Sequence, residues 1–254
     1  MKVMPDTTIR VANSEAVSLE LGVDAELGEV RLLPKFGEES VLPLDGNAFD
    51  WPILAAPNTV TVEWRAPGSD EAAFKSTVEV VSRHYFALDQ LRSYGDGRDD
   101  FDRLPEETLW AARQEATDVF EKAARRSFVA RVGRVRDYGL EGFLPADHDV
   151  REVLTDGYYQ ASDAYLVRRR PCGPYPRLVE YVYGADYMPA EVSRAVLELA
   201  AYTLRPSNRP IGATGESTDA GYIHFTTAGR DGATAIPEVN AAIAMFGAGE
   251  RFVW

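Results

Sequence analysis

The sequence predicts an α+β protein. Residues 1–86 read as an N-terminal antiparallel β-sandwich or barrel, and residues 87–254 as a mainly helical domain with a small arginine-rich β-sheet. Three observations lead there. In the first third, apolar residues alternate with polar ones and no helical period competes. Further on, two stretches repeat their apolar residues at the three-four spacing of an amphipathic helix. Between those stretches lie short runs of arginine, tyrosine and valine, bounded by proline and glycine.

In order along the chain, Val17, Leu19, Leu21 and Val23 alternate with Ser18, Glu20 and Gly22, the period of a strand with one face buried. Val30 to Leu33 is a further short strand. Val60, Val62 and Trp64 alternate with Thr59, Thr61 and Glu63, and Phe74 with Thr77 to Val81 forms another strand. The turn-rich Ala66-Pro67-Gly68-Ser69-Asp70 joins these last two as a hairpin. Arg83 to Ala87 then reads as the junction between the domains.

Leu88, Leu91 and Tyr94 mark a short helix that Gly95 and Gly97 stop. The acidic loop Asp96 to Asp102 follows. It does not fit a calcium loop of the EF-hand kind, because Arg98 stands at the third ligand position and Phe101 where the sharp turn needs glycine. Pro105, Glu106 and Glu107 start the longest helix, which runs to about Arg126. Its apolar line is Leu109, Ala112, Ala116, Val119, Phe120 and Ala123. The small residues in that line favour close packing against a second helix. Arg125 and Arg126 meet the negative end of the helix dipole.

Phe128 to Arg136 alternates apolar residues with arginines, which places the two kinds on opposite faces of a half-buried strand. Tyr158–Gln160, Tyr165–Arg168 and Leu178–Gly184 are later strands. Arg168, Arg169 and Arg170 form the strongest basic cluster. Pro189 and Glu191 then open a helix whose apolar face is Val192, Ala195, Val196, Leu199 and Ala200. After a Pro/Gly/Ser-rich break, the strand Tyr222 to Phe225 leads through Gly229–Gly232 to Ile236-Pro237-Glu238-Val239-Asn240-Ala241. An aromatic tail, Phe246 to Trp254, closes the sequence.

Composition narrows the function classes. The chain has 254 residues, 45% hydrophobic and 26% charged, the profile of a globular protein able to bury real cores. No stretch is apolar for long enough to span a bilayer, and the Met1–Pro5 start carries no secretory signal. Cys172 is the single cysteine, so no disulfide forms within the chain. A net charge of −13 argues against gripping nucleic acid, because phosphates need cationic neutralisation. The basic residues are unevenly distributed in kind. Residues 1–86 hold seven basic and fourteen acidic side chains, three of them lysines, whereas residues 87–254 hold twenty basic and twenty-six acidic with Lys122 the sole lysine. Arginine used so exclusively suits planar, bidentate pairing with carboxylates.

Searching for catalytic residues returns little. His84, His148 and His224 lie far apart, with no His or Cys at zinc-ligand spacing. Asp147-His148-Asp149 offers a base between carboxylates, but consecutive side chains diverge, and a surface loop accounts for it better. Cys172 has no histidine near it in sequence. Gly212 to Ser217 is glycine-rich without the lysine of a phosphate loop. The expectation is a protein that is not an enzyme and holds no cofactor or metal.

The order of a helix, arginine-rich strands, a Tyr-rich hairpin, a Pro-started helix and Ile-Pro-Glu-Val-Asn-Ala near the end resembles the head-to-tail adaptor (head-tail connector) proteins of long-tailed bacteriophages. The resemblance covers roughly Ala87 to Trp254 and leaves residues 1–86 outside. In that family the segment after Ile-Pro-Glu-Val usually reads Asp-Ala, and here Asn240 stands in its place. The resemblance implies a structural virion protein at the head-tail interface, present in the host cytoplasm during assembly. It implies a ring of identical subunits, usually twelve, bound to the portal on one side and to a head-tail stopper or tail terminator on the other. DNA would pass through the ring without sequence-specific binding. A closed ring needs a heterologous interface, one face of each subunit meeting a different face of the next. The candidates for that pairing are Asp99, Asp100 and Asp102 against Arg131, Arg134, Arg168 and Arg169. Phe246, Arg251, Phe252 and Trp254 form a candidate portal-docking tail, and folding back onto the chain's own core stays open beside it. The rival expectation is a two-domain cellular binding protein, with a β-module for ligand recognition and a helical oligomerisation domain.

Overall fold

The computed structural model describes residues 1–94, 101–139, 143–168, 176–205, 215–218, 221–224 and 233–248. Its elements in chain order are β1 (Lys2–Val3), β2 (Thr8–Ala12), β3 (Ser18–Leu21), β4 (Glu29–Pro34), β5 (Ser40–Pro43), β6 (Ala48–Asp50), β7 (Asn58–Arg65) and β8 (Ala72–Val81). There follow α1 (Leu88–Arg92), a 3-10 turn (Phe101–Arg103), α2 (Glu106–Ala124), β9 (Arg131–Asp137), β10 (Phe143–Pro145), β11 (Val150–Val153), β12 (Tyr158–Ser162), β13 (Tyr165–Arg168) and β14 (Arg177–Tyr183). The last are α3 (Ala190–Leu204), β15 (Gly215–Thr218), β16 (Gly221–His224) and α4 (Pro237–Phe246). The protein is α+β, and it divides into two compact units: Met1–His84 with Ser127–Tyr187, and Tyr85–Arg126 with Met188–Trp254.

The division therefore differs from the expected one at 86/87. The arginine-rich strands belong with the N-terminal strands, and the helices form the other unit. Tyr85 and Phe86 mark the boundary physically. The buried Tyr85 hydroxyl donates to Glu121 of α2 at 2.8 Å, and the Ser193 hydroxyl of α3 donates to the Tyr85 carbonyl at 2.6 Å. These bonds tie Tyr85 to helices, so the chain changes units just before it.

In the first unit the expected strands form as β3, β4, β7 and β8. A five-stranded sheet runs β2-β8-β7-β4-β5, and a three-stranded sheet runs β1-β3-β6. The pairings are not all antiparallel, since β2 pairs parallel with β8 and β1 parallel with β3. Neither β1 nor β2 was legible, because β2 is covered on both faces and buries Arg10 among its apolar residues, which removes the two-residue alternation. Phe49 of β6 meets Trp64 of β7 edge to face at 5.5 Å, and the Trp64 indole N–H donates to Ser76 at 3.0 Å. On β7, the carboxylate of the buried Glu63 receives Lys75 of β8 and its near neighbour Arg65. Hydrogen bonds from Lys75 and then Arg65 hold that carboxyl below its ordinary range, outweighing the opposing push of burial.

The same unit contains two further three-stranded sheets, β11-β14-β9 and β10-β13-β12. They share one core of Leu144, Ala146, Val150, Tyr158, Leu166, Val179 and Tyr181.

The second unit is built on α2, α3 and α4, which pack against one another, with the β15–β16 hairpin. Pro105 and Pro189 sit at the N-caps of α2 and α3, and acidic residues fill both first turns. α3 buries Val192, Ala195, Val196, Leu199 and Ala200, the face expected of it. α2 differs from the expected line. Val119 is 39% exposed, whereas Arg113, Thr117 and Glu121 are buried. α2 is covered over a wider arc than a single stripe, and two of the polar groups in that arc have clear partners: Glu121 accepts from Tyr85, and Thr117 donates to the Arg113 carbonyl.

Candidate functional site

The arginine strands were the expected contact surface, and their geometry follows from the β9–β14 register. Arg131 stands opposite Tyr183, Gly133 opposite Tyr181, Val135 opposite Val179 and Asp137 opposite Arg177. These pairs share one face, turned toward the aromatic core. Val132 with Val182, Arg134 with Glu180, and Arg136 with Leu178 make up the other face. The expected separation of arginines from apolar residues is therefore incomplete, with Arg131 on the core face and Val132 on the outer one. Gly133 has a packing reason, because a Cβ there would lie 2.4 Å from the Tyr181 ring.

Each described arginine in the candidate set has a carboxylate within its own unit. Arg131 binds Glu79 of β8, which also receives Arg10 at 3.3 Å. Arg134 reaches Glu180 at 3.2 Å, and Lys35 binds the other oxygen of the same carboxylate. Arg168 grips Asp137 with two bonds of 2.9 and 3.0 Å. Asp137 is 1% exposed and also accepts from the Tyr158 hydroxyl at 2.8 Å and the Gly139 N–H at 2.7 Å. Burial by itself pushes this carboxyl up. The bonds from Gly139, Tyr158 and Arg168 outweigh that push and leave it below its ordinary range. Arg177 lies over the Tyr158 ring, 5.7 Å from its centroid, so the anchor is closed by a cation–π contact.

This geometry sorts the candidate interface residues. Arg131 and Arg168 are consumed in holding β9 to β8 and to β13, and they are not free to grip a neighbour. Arg134 keeps a side chain 48% exposed. Asp102 is exposed on the 3-10 turn. Asp99, Asp100 and Arg169 lie outside the described residues. The sequence reading missed the acidic partners Glu79, Asp137 and Glu180. A signal for one of them existed, since Glu180 stands in a strand that must pair with an arginine strand; Glu79 and Asp137 depend on contacts that local pattern does not carry.

At the other end of the chain, Ile236-Pro237-Glu238-Val239-Asn240-Ala241 opens α4. Pro237 sits at its start, Glu238 faces the positive end of the dipole, and Ile236 and Val239 are buried. Asn240 closes the turn ahead of the helix. Its side-chain oxygen accepts from the Thr234 N–H at 2.9 Å, and its amide donates to the Thr234 carbonyl at 2.9 Å. An aspartate can only accept, so it would set a carboxylate against that carbonyl. Asn240→Asp is expected to cost about 1 kcal/mol in unfolding free energy, measured by urea titration at neutral pH.

Phe246, expected in the tail, is instead the last residue of α4. Arg126 donates to its carbonyl at 3.2 Å, and the Ala248 N–H donates to the Ala124 carbonyl at 2.8 Å. Arg126 therefore joins the ends of α2 and α4, a more specific role than complementing a dipole. Arg251, Phe252 and Trp254 lie outside the described residues.

His84 and Asp147, two of the groups considered for chemistry, are engaged structurally. His84 Nε2 is 2.6 Å from a Glu15 carboxylate oxygen. Asp147, beside the half-buried His148, receives the Tyr181 hydroxyl at 2.8 Å. Cys172 is outside the described residues. Among the described residues, no group of three or more His, Cys, Asp or Glu is placed to hold a metal ion, and no helix is long and apolar enough to cross a membrane. Comparison with known proteins finds no matching family model and no matching curated protein.

Proposed function

We propose that the protein is a head-to-tail adaptor of a long-tailed bacteriophage, a structural virion protein that forms a ring beneath the portal. The observation that carries the reading is the construction of α4. The Ile-Pro-Glu-Val-Asn-Ala segment on which the resemblance rests is the helix opening, it buries its two aliphatic residues, and the helix packs on α2 and α3. The arginine-rich strands and the Pro-started α3 also occur in the order that the resemblance requires. In this reading the N-terminal strands, β1 to β8, supply a sandwich-like accessory part, supported by the contact of Phe49 with Trp64 across two of their sheets. The partners are further copies of the chain, twelve in a closed ring, the portal, and a stopper or tail terminator. DNA passes through without sequence readout, in keeping with a net charge of −13. The site of action is the virion's head-tail interface, reached from the host cytoplasm.

The test is co-expression with the portal protein encoded in the same genome, followed by size-exclusion chromatography. A portal–adaptor complex is expected. A protein that ignores the portal and stays a small species at all concentrations would favour the two-domain cellular binding protein instead. A chain cut after Ala248 keeps α4 and its bonds to α2 intact. That variant is expected to keep the circular dichroism of the full chain, yet to lose portal co-elution. Full retention of portal binding by the truncated chain would remove the docking role from Arg251, Phe252 and Trp254.

A further inference from the structure

The outer face of the β9–β14 pair combines features that solvent-exposed sheet rarely collects. Leu178 is 47% exposed and stands opposite the exposed Arg136, and Tyr138, just past β9, is 60% exposed. Arg134 and Lys35 flank the single carboxylate of Glu180. Arg134, Arg136 and Lys35 are set against Glu180 and, on the adjoining β11, the exposed Glu152. The face thus carries a small local excess of positive charge on a chain whose net charge is −13. Two copies of so acidic a protein repel one another over most of their surfaces. A cationic face bearing exposed Tyr, Leu and Arg has the composition of an interface centre.

The helical unit offers the complementary surface. Glu107, Glu115 and Asp118 recur at helical spacing along the exposed side of α2 and are all solvent-facing, with Ala111 between them and Lys122 at the far end. Leu109, Ala112, Ala116 and Phe120 on the opposite side of α2 are buried, so these residues belong to its outward edge.

We infer that the Arg134–Arg136–Leu178–Tyr138 face of one copy docks the acidic outer edge of α2 from a second copy. This rests on the adaptor reading and deepens it by naming the two unlike faces that a heterologous contact requires. It replaces the expected use of Arg131 and Arg168, which are committed to Glu79 and Asp137. The Arg134 and Arg136 guanidiniums pair with carboxylates while Leu178 and Tyr138 exclude water around them. Between exposed charges the attraction is screened, so the contact weakens as salt rises past the point where the Debye length falls below about 8 Å.

The experiment uses the full chain, alone and with portal, in analytical ultracentrifugation. Arg136→Glu leaves the Lys35–Glu180–Arg134 cluster untouched, and Arg134→Glu with Arg136→Glu is the stronger version. Both are expected to shift wild-type assemblies to the single-copy species, with unchanged circular dichroism. Mixing the Arg136→Glu chain with a Glu115→Arg, Asp118→Arg chain is expected to restore mixed assemblies. Wild-type assemblies that persist unaltered in Arg136→Glu and in the double variant overturn the inference and leave the adaptor reading standing, as does failure of the mixed pair to reassemble. Wild-type chains that never assemble, with or without portal, overturn both. Retention of duplex DNA by this face, lost in Arg136→Glu while assembly is unchanged, assigns the face to phosphate and overturns the inference.

Discussion

Asp137→Ala is expected to lower the unfolding free energy by about 3 kcal/mol, because it leaves the Arg168 guanidinium and the Tyr158 hydroxyl without their shared acceptor in a largely buried position. The carboxylate joins β9 to β12 and β13, so its loss loosens two sheets at once. The same substitution changes the pH dependence. In the unfolded chain the carboxyl titrates near its ordinary value of about 3.9. In the folded protein it titrates lower, since the bonds from Gly139, Tyr158 and Arg168 outweigh the upward push of burial. A group lowered on folding stabilises the native state at pH values above the unfolded value. That contribution fades as pH falls through the folded one. The urea midpoint of the wild type should therefore fall more steeply than that of Asp137→Ala as pH drops from about 5 towards 2. Parallel midpoints across that interval would show that Asp137 is not held by the bonds described. Glu63, lowered mainly by Lys75 and Arg65, adds acid sensitivity of the same sign in both proteins.

Gly184→Ala is expected to be comparably damaging, on the order of 3 kcal/mol or more, through backbone strain and collision together. Gly184 has φ +112, where side chains are strained, and a Cβ there would lie 2.2 Å from the Val129 carbonyl oxygen. The neighbouring chain cannot retreat easily. The Gly184 N–H donates to the Asp149 carbonyl at 3.0 Å, the Ala185 N–H donates to the Ser127 carbonyl at 2.9 Å, and Arg151 holds the Gly184 carbonyl. Thermal or urea unfolding measures the loss. A change under 1 kcal/mol would mean that this crossing is far looser than described.

Strands with one covered face were readable, as Ser18–Leu21 and residues 58–62 of β7 show, because burial on one side prints a two-residue period on the sequence. Thr8–Ala12 was not, since a strand covered on both sides with a paired Arg10 inside it has no period to print. The α3 face was legible for the same reason as the one-sided strands. The α2 face was only partly so, because Arg113, Thr117 and Glu121 are buried, Glu121 under a hydrogen bond from Tyr85, and no local pattern announces that. The grouping of 127–187 with 1–84 was invisible for a related reason. The Arg131–Glu79 and Lys35–Glu180 pairs that join the two segments each link residues far apart in sequence. At the candidate site, arginine content marked the correct strands but not which arginines face outward. That choice rests on register, and register was fixed by Gly133 fitting against Tyr181 and by the Asp137 anchor.

These arrangements give the protein two compact units, with a charged sheet face on one and an acidic helix edge on the other. We propose that the protein works by contact within a many-copy assembly on a portal. Negative-stain electron microscopy of the protein co-purified with its portal tests this most directly. A second ring of this protein is expected, coaxial with the portal ring and with an open centre. Portal rings with no added layer, alongside adaptor chains that remain separate at every mixing ratio, would contradict it.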